Sequence, residues 1–212
     1  MEILKNFAVF EGCDGSGTTT QLNILEDFFL RNRVNLSLPP LYKTFEPTDG
    51  SIGKLIRQGL RKEIELCPQT IALLFAADRS EHIRGKGGVA ERCGRGELVV
   101  SDRYIPSSLV YQGLTCGEAL PEALNRDFPG PELLIFFDLE PETADKRMAG
   151  RKIREIYEHI EFQIRVRERY KALLPRLSAE GIRVELINAA QTPEDIARNV
   201  WELIRKMPIF KG

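Results

Sequence analysis

The sequence has no excess of either charge: Lys and Arg number 30 against 31 Asp and Glu over 212 residues, a formal net charge of -1. A global field that would draw the chain to nucleic acid or an anionic membrane is missing, so basic side chains must act locally. Long apolar runs are missing too. The longest uninterrupted stretch, Ile71 to Ala77, is far below the roughly 20 residues of a membrane-spanning helix. The opening MEILKNF lacks the apolar core of a secretory leader. A cytoplasmic protein with no nucleic-acid and no membrane partner is expected. Cys13, Cys67, Cys93 and Cys116 form no C-x-x-C pair, which fits reduced thiols rather than a disulfide framework or a zinc site. No internal repeat or low-complexity segment stands out, and the length suits one α/β domain over residues 1–212 with a single sizeable core.

What is present is concentrated first in NFAVFEGCDGSGTTTQLNILEDFF, residues 6–29. Phe7 to Phe10 is a short apolar run suited to a buried parallel strand. Leu22, Leu25, Phe28 and Phe29 fall on one face of a helix. The turn between them, Gly12, Cys13, Asp14, Gly15, Ser16, Gly17, Thr18, Thr19 and Thr20, has the spacing of a P-loop, G-x-x-x-x-G-K-[ST]. One part is lacking: Thr18 occupies the lysine position. Backbone N–H groups at a helix N-terminus converge on phosphate oxygens without that lysine, so nucleotide phosphate remains the expected ligand. Thr19 is the expected Mg²⁺ ligand through its hydroxyl, whereas Thr18 and Thr20 read equally as helix N-terminal residues.

Further strands are expected at Leu41–Phe45, Leu98–Ser101, Leu133–Asp138 and Val184–Ile187, the Leu133 strand central or near-central. Helices are expected over Ile52–Leu60, Gln69–Ile83, Pro106–Gln112, the charged stretch Glu142–Arg169, broken early at Met148–Lys152, and Pro193–Lys206. Residues 85–96 read as a glycine-rich connection, and the stretch up to Pro131 as a Gly- and Pro-rich loop. Alternating strands and helices mean a parallel sheet covered on both faces and joined by right-handed crossovers. Ligands then sit at the carboxyl ends of the strands, where Glu46 and Asp102-Arg103-Tyr104 fall.

Five blocks occur in the order of bacterial thymidylate kinases: Phe10–Gly17, Phe45-Glu46-Pro47-Thr48, Phe75–Arg79, Asp102-Arg103-Tyr104 and Ser107–Gly113. The chain resembles that family over about residues 7 to 175. The resemblance implies a P-loop nucleoside-monophosphate-kinase-like three-layer α/β/α fold with a five-stranded parallel sheet of order 2-3-1-4-5. It also implies transfer of the γ-phosphoryl of ATP to dTMP, Mg²⁺ as cofactor, and a homodimer. By similarity, Arg57 and Arg103 grip the acceptor phosphate, and a guanidinium fork suits its oxygens. Phe75 stacks on thymine and Arg79 reaches a base carbonyl. Ser107, Ser108 and Gln112 are polar contacts to base and ribose, and Tyr111 crowds the sugar against a 2′-hydroxyl. Asp14 positions the acceptor end, Asp102 holds Mg²⁺ through water, and Glu46 orders the acceptor site and its metal. The stretch around residues 146–158, with Lys146, Arg147, Arg151, Lys152 and Arg154, matches the family's lid. The loop carries no arginine, which resembles the family members that supply the catalytic arginine from the lid, and the resemblance thus makes Arg147 and Arg151 the candidate catalytic cations.

Two positions depart from the family pattern: Thr18 for the lysine, and Phe45 where many members carry arginine. Losing a charge-assisted contact costs about 1.5–3 kcal/mol, or roughly ten- to a hundredfold in rate. Three readings follow: an active dTMP kinase in which Arg147, Arg151 or Lys152 takes over from the lysine, a catalytically silent nucleotide-binding homologue, and a kinase of another deoxynucleotide or a nucleoside. Arg57 and Arg103 favour a phosphorylated acceptor, and the intact acceptor blocks favour an active enzyme.

Overall fold

The computed structural model describes residues 1–149, 156, 157 and 159–211. Five strands, β1 (Ile3–Gly12), β2 (Leu41–Phe45), β3 (Leu98–Asp102), β4 (Gly130–Asp138) and β5 (Arg183–Asn188), form a parallel sheet of order β2-β3-β1-β4-β5. This is the predicted order. The strands begin or end within a few residues of the expected limits, and β1 and β4 extend further toward their N-termini.

Register is what assembles the site. Phe10 lies opposite Asp102 and Ile135, and Phe45 opposite Asp102. The carboxyl ends of β1, β2 and β3 therefore align, and the residues that follow them emerge along one edge. Chain order reverses on either side of β1, which makes this edge the switch point where open α/β sheets bind ligands.

Period-two alternation along β1 and β4 divides the core between the faces. Ala8, Phe10, Leu133, Ile135 and Phe137 pack under α1 (Thr18–Asn32) and α9 (Pro193–Ile204), where Leu22, Leu25, Phe29, Ile196 and Val200 meet them. On the opposite face Leu134 and Phe136 pack with Val166, Tyr170 and Leu174 of α8 (Ile160–Ala179). Phe7, Val9 and Val99 pack there with Tyr104 and Ile105 at the start of α5 (Ile105–Cys116). Each such fully buried side chain contributes about 1.5–3 kcal/mol of transfer free energy. α2 (Ser51–Leu60) and α3 (Pro68–Arg84) flank the acceptor side.

Two expected loops contain helices. Residues 85–96 include α4 (Val89–Gly94), held by buried Val89 and Cys93 four positions apart. The stretch before Pro131 includes α6 (Ala119–Asn125), with Pro121 and Asn125 buried at the same spacing. One pair of inward residues at i and i+4 anchors a short helix, but it is too little for periodicity to register. The charged stretch from Glu142 resolves into α7 (Pro141–Met148) and α8, which runs ten residues past Arg169 to Ala179. Arg151, Lys152 and Arg154 lie outside the described residues.

Candidate active site

The loop after β1 turns on glycines. Gly17 caps α1 at φ 95°, a left-handed conformation that a side chain resists, and no atom lies within 4 Å of where a Cβ would point. At Gly12 the constraint is space: a Cβ there would meet Ser16 Oγ at 2.4 Å and the Phe137 carbonyl at 3.0 Å. Thr18 is buried at the first position of α1. The Thr19 hydroxyl donates to Asp102 Oδ2 from the end of β3. Asp102 Oδ1 and Ser16 Oγ are buried without a hydrogen-bond partner among the described residues.

A cleft of about 650 Å³ runs along this loop. Asp14 to Thr20, Asp102 and Arg103 form one wall. Arg147 and Met148 of α7 and Gln191, Pro193 and Ile196 also line it, with Met148 packed against Gly15. Of the two expected catalytic cations, Arg147 lines this cleft and Arg151 lies outside the described residues. Cys13, also in the loop, is buried, and burial pushes its thiol up to about 12, which leaves it inert at neutral pH.

A second cavity, about 120 Å³, lies beyond Arg103. Asp14, Glu46, Phe75, Arg79 and Arg103 line it, together with Ser107, Ser108, Tyr111 and Gln112 of α5. All but one of the expected acceptor residues are therefore gathered in one place. Arg57 is the exception. It lines neither cavity; its guanidinium donates to the carbonyls of Pro47 and Thr48, the latter at 2.7 Å, and lies 5.6 Å from the centroid of the Phe45 ring. The family's arginine position before Glu46 is thus filled by an aromatic ring under a different arginine.

The two cavities meet at one ion pair. Arg103 Nη2 donates to Asp14 Oδ1 at 2.5 Å, and Nη1 donates to the Gly12 carbonyl and to Ser107 Oγ, each at 3.1 Å. Arg103 itself has φ 71°, an uncommon conformation for a side-chain-bearing residue, and it follows directly on β3. The other Asp14 oxygen accepts from Gln163 Nε2 at 2.8 Å, and the Asp14 N–H donates to Gln163 Oε1 at 3.1 Å.

Further residues support these, among them His82 and Asn125, which lie outside the five blocks. Arg79 is buried, donating to Glu46 Oε2 through Nε at 2.9 Å and Nη2 at 2.6 Å, and to Asn125 through Nη1. His82 Nδ1 lies 2.9 Å from Glu46 Oε1, so both carboxylate oxygens are engaged within the protein. Asp78 accepts from the Thr48 N–H and hydroxyl, both at 2.7 Å, and so pins the turn after β2. Glu11, at the end of β1, is wholly buried; burial pushes its carboxyl above the ordinary range while the Arg103 charge and hydrogen bonds from Ser107, Tyr170 and Tyr104 oppose the shift. Glu11 falls inside the Phe10–Gly17 block but was given no role of its own there. For Asn125, on a helix read as loop, there was no sequence signal.

Comparison with known proteins bears on the same residues. The family model described as thymidylate kinase matches residues 10–200. A Treponema pallidum protein named as a thymidylate kinase is 42% identical over 174 residues, covering 82% of this chain and 81% of its own length. One from Pyrobaculum aerophilum is 38% identical over 206 residues, covering 97% and 99%. One from Thermococcus onnurineus is 35% identical over 210 residues, covering 93% and 96%. A phosphate loop at the switch point, a second cavity gathered beyond Arg103 and a match over most of the length lead to one conclusion: the chain belongs to the thymidylate kinase family.

Proposed function

We propose that this chain transfers the γ-phosphoryl group of ATP to dTMP, giving ADP and dTDP. The observation that carries this reading is the Asp14–Arg103 pair, 2.5 Å apart, standing in the walls of both cavities. A donor over the loop and an acceptor beyond Arg103 would present their phosphates to each other across it. In the reaction an acceptor phosphate oxygen bonds to the γ-phosphorus as the bond to the β-phosphate breaks and ADP leaves with the electron pair. No proton has to move, so the protein supplies alignment and positive charge.

In this reading loop N–H groups at the start of α1 hold the donor phosphates, and Arg147 faces them as the cation that Thr18 does not provide. Arg103 orients the acceptor phosphate, with Asp14 fixing its guanidinium. Phe75 covers the thymine ring and Arg79, clamped by Glu46, presents its remaining N–H groups toward the base carbonyl. Gln112 Oε1, buried and without a protein partner among the described residues, accepts from the base N–H. Tyr111 closes the sugar side. Arg57 acts on the acceptor through the turn it holds. The residues fit Mg²⁺: a hydroxyl and a carboxylate with an uncommitted oxygen are hard ligands of the kind it takes alongside substrate phosphates. When bound, the ion supplies charge neutralisation at the transferring phosphates. The whole chain acts as one domain with residues 146–158 as lid, in the cytoplasm, and as a homodimer for which α3, with Leu73 half exposed, offers an apolar face.

A coupled ADP-release assay with dTMP, dUMP, dCMP, dGMP and thymidine tests the reading. Turnover highest with dTMP and absent with thymidine is the expected result. Tight dTMP binding without turnover of any acceptor would indicate a nucleotide sensor instead.

A further inference from the structure

Glu11 is a buried carboxylate that the reaction as described does not use. Its Oε1 accepts the backbone N–H groups of Tyr104 at 2.9 Å and Ser107 at 3.2 Å, and its Oε2 accepts the hydroxyls of Ser107 at 2.7 Å and Tyr170 at 2.8 Å. The Ser107 hydroxyl in turn receives Arg103 Nη1 at 3.1 Å. We propose that Glu11 is a positioning residue for acceptor binding, which fixes the Arg103 guanidinium through Ser107 and seats the first turn of α5 beside it. The inference rests on the dTMP kinase reading.

Two physical arguments support it. A carboxylate buried at the end of a central strand is costly, and an apolar side chain of the same size would pack there more favourably if packing were the only task. Moreover, Arg103 is held at φ 71°, a conformation that persists when its surroundings over-determine it. Glu11 grips the chain just after Arg103, at Tyr104 and Ser107, and binds the side chain that Arg103 itself touches. Tyr170 ties the same oxygen to α8.

The alternative role, a counter-charge behind Arg103, predicts the opposite sign. Removing an anion near the phosphate would then tighten acceptor binding. Glu11→Gln keeps the volume and one acceptor oxygen for the backbone N–H groups, but replaces the oxygen that receives both hydroxyls with an amide donor. Steady-state kinetics with each substrate varied should show the KM for dTMP rising about tenfold with the KM for ATP within about twofold. The thermal midpoint should fall modestly, because two buried hydroxyls lose their acceptor, so the split between the two KM values carries the test. A KM for dTMP that is unchanged or lowered, or that rises together with the KM for ATP, overturns the inference. If Glu11→Gln does not fold, Tyr170→Phe removes one donor to the same oxygen and should raise the KM for dTMP about threefold; no change there overturns it equally. Wild-type protein that leaves dTMP unphosphorylated would overturn the activity reading and this inference with it, whereas an active wild type with an unaffected variant overturns the inference alone.

Discussion

Replacing Arg79 by alanine separates its part in the fold from its part in selecting the base. The residue is 1% exposed, and its guanidinium makes bonds of 2.9 and 2.6 Å to Glu46, reaches Asn125, and lies 5.2 Å from the centroid of the Tyr104 ring. Truncation leaves the Glu46 carboxylate with His82 as its remaining side-chain partner and the Asn125 oxygen bare in the interior. Removing one member of a buried pair costs about 3–5 kcal/mol, and the lost stacking on Tyr104 adds about 0.5–2 kcal/mol. Set against a total stability of about 5–15 kcal/mol, Arg79→Ala should be among the most damaging single changes in the chain. Urea unfolding can be followed through Trp201, whose ring lies 4.7 Å from Phe28 and 6.0 Å from Phe29 in the core under α1. Glu46→Gln removes the charge that truncation strands, so the double variant should be more stable than the sum of the single losses by about 1 kcal/mol or more. In kinetics, taking the carbonyl that Arg79 is proposed to contact as the one at C4, where cytosine carries an amino group, the preference for dTMP over dCMP should fall at least about tenfold. A loss of stability below about 1 kcal/mol, or strict additivity of the two substitutions, would refute the argument from burial.

Three further outcomes are expected. Thr18→Lys should give little gain in turnover or a loss, because in the proposed reading a lid cation serves the lysine's place; a gain of about a hundredfold would mean that the loop is simply impaired. Arg147→Gln should lower kcat about ten- to a hundredfold, and a variant as fast as wild type would remove Arg147 from the mechanism. Iodoacetamide on the folded protein should modify Cys67 first, since it is exposed and its hydrogen-bonding with Thr70 favours the thiolate, while burial protects Cys13 and Cys93 and pushes each thiol up to about 12; mass spectrometry showing Cys13 labelled as fast as Cys67 would contradict that order.

The strands and the location of the glycine loop were legible because each rests on local signals: apolar runs of strand length, a glycine spacing and a helix-period face; the order of the strands came only with the family resemblance. The residues expected at the acceptor were picked out through ordered blocks, and Glu46, Phe75, Arg79, Arg103 and the α5 residues line one cavity. The direction of a long side chain is a different matter. Arg57 reaches either a phosphate or a nearby carbonyl without changing its place in the sequence, and here it folds back onto Pro47 and Thr48. Partners far apart in the chain were also hidden. Asn125 is 46 positions from Arg79 and Tyr170 is 159 from Glu11, and their pairing exists only once α6 and α8 have docked.

In the proposed reading the placement of Asp14 and Arg103 has a thermodynamic consequence for how the two nucleotides bind. A dTMP phosphate that draws on Arg103 would compete with the Asp14 carboxylate for the same guanidinium, and Asp14 belongs to the loop proposed to hold the ATP phosphates. Occupying one cavity therefore changes the electrostatic state of the other, and the two binding free energies contain a shared coupling term. That term is reciprocal: whatever factor a non-hydrolysable ATP analogue imposes on the affinity for dTMP, dTMP must impose on the affinity for the analogue. An affinity for either nucleotide measured alone then describes half of a cycle, and the concentration of the partner nucleotide is part of its definition.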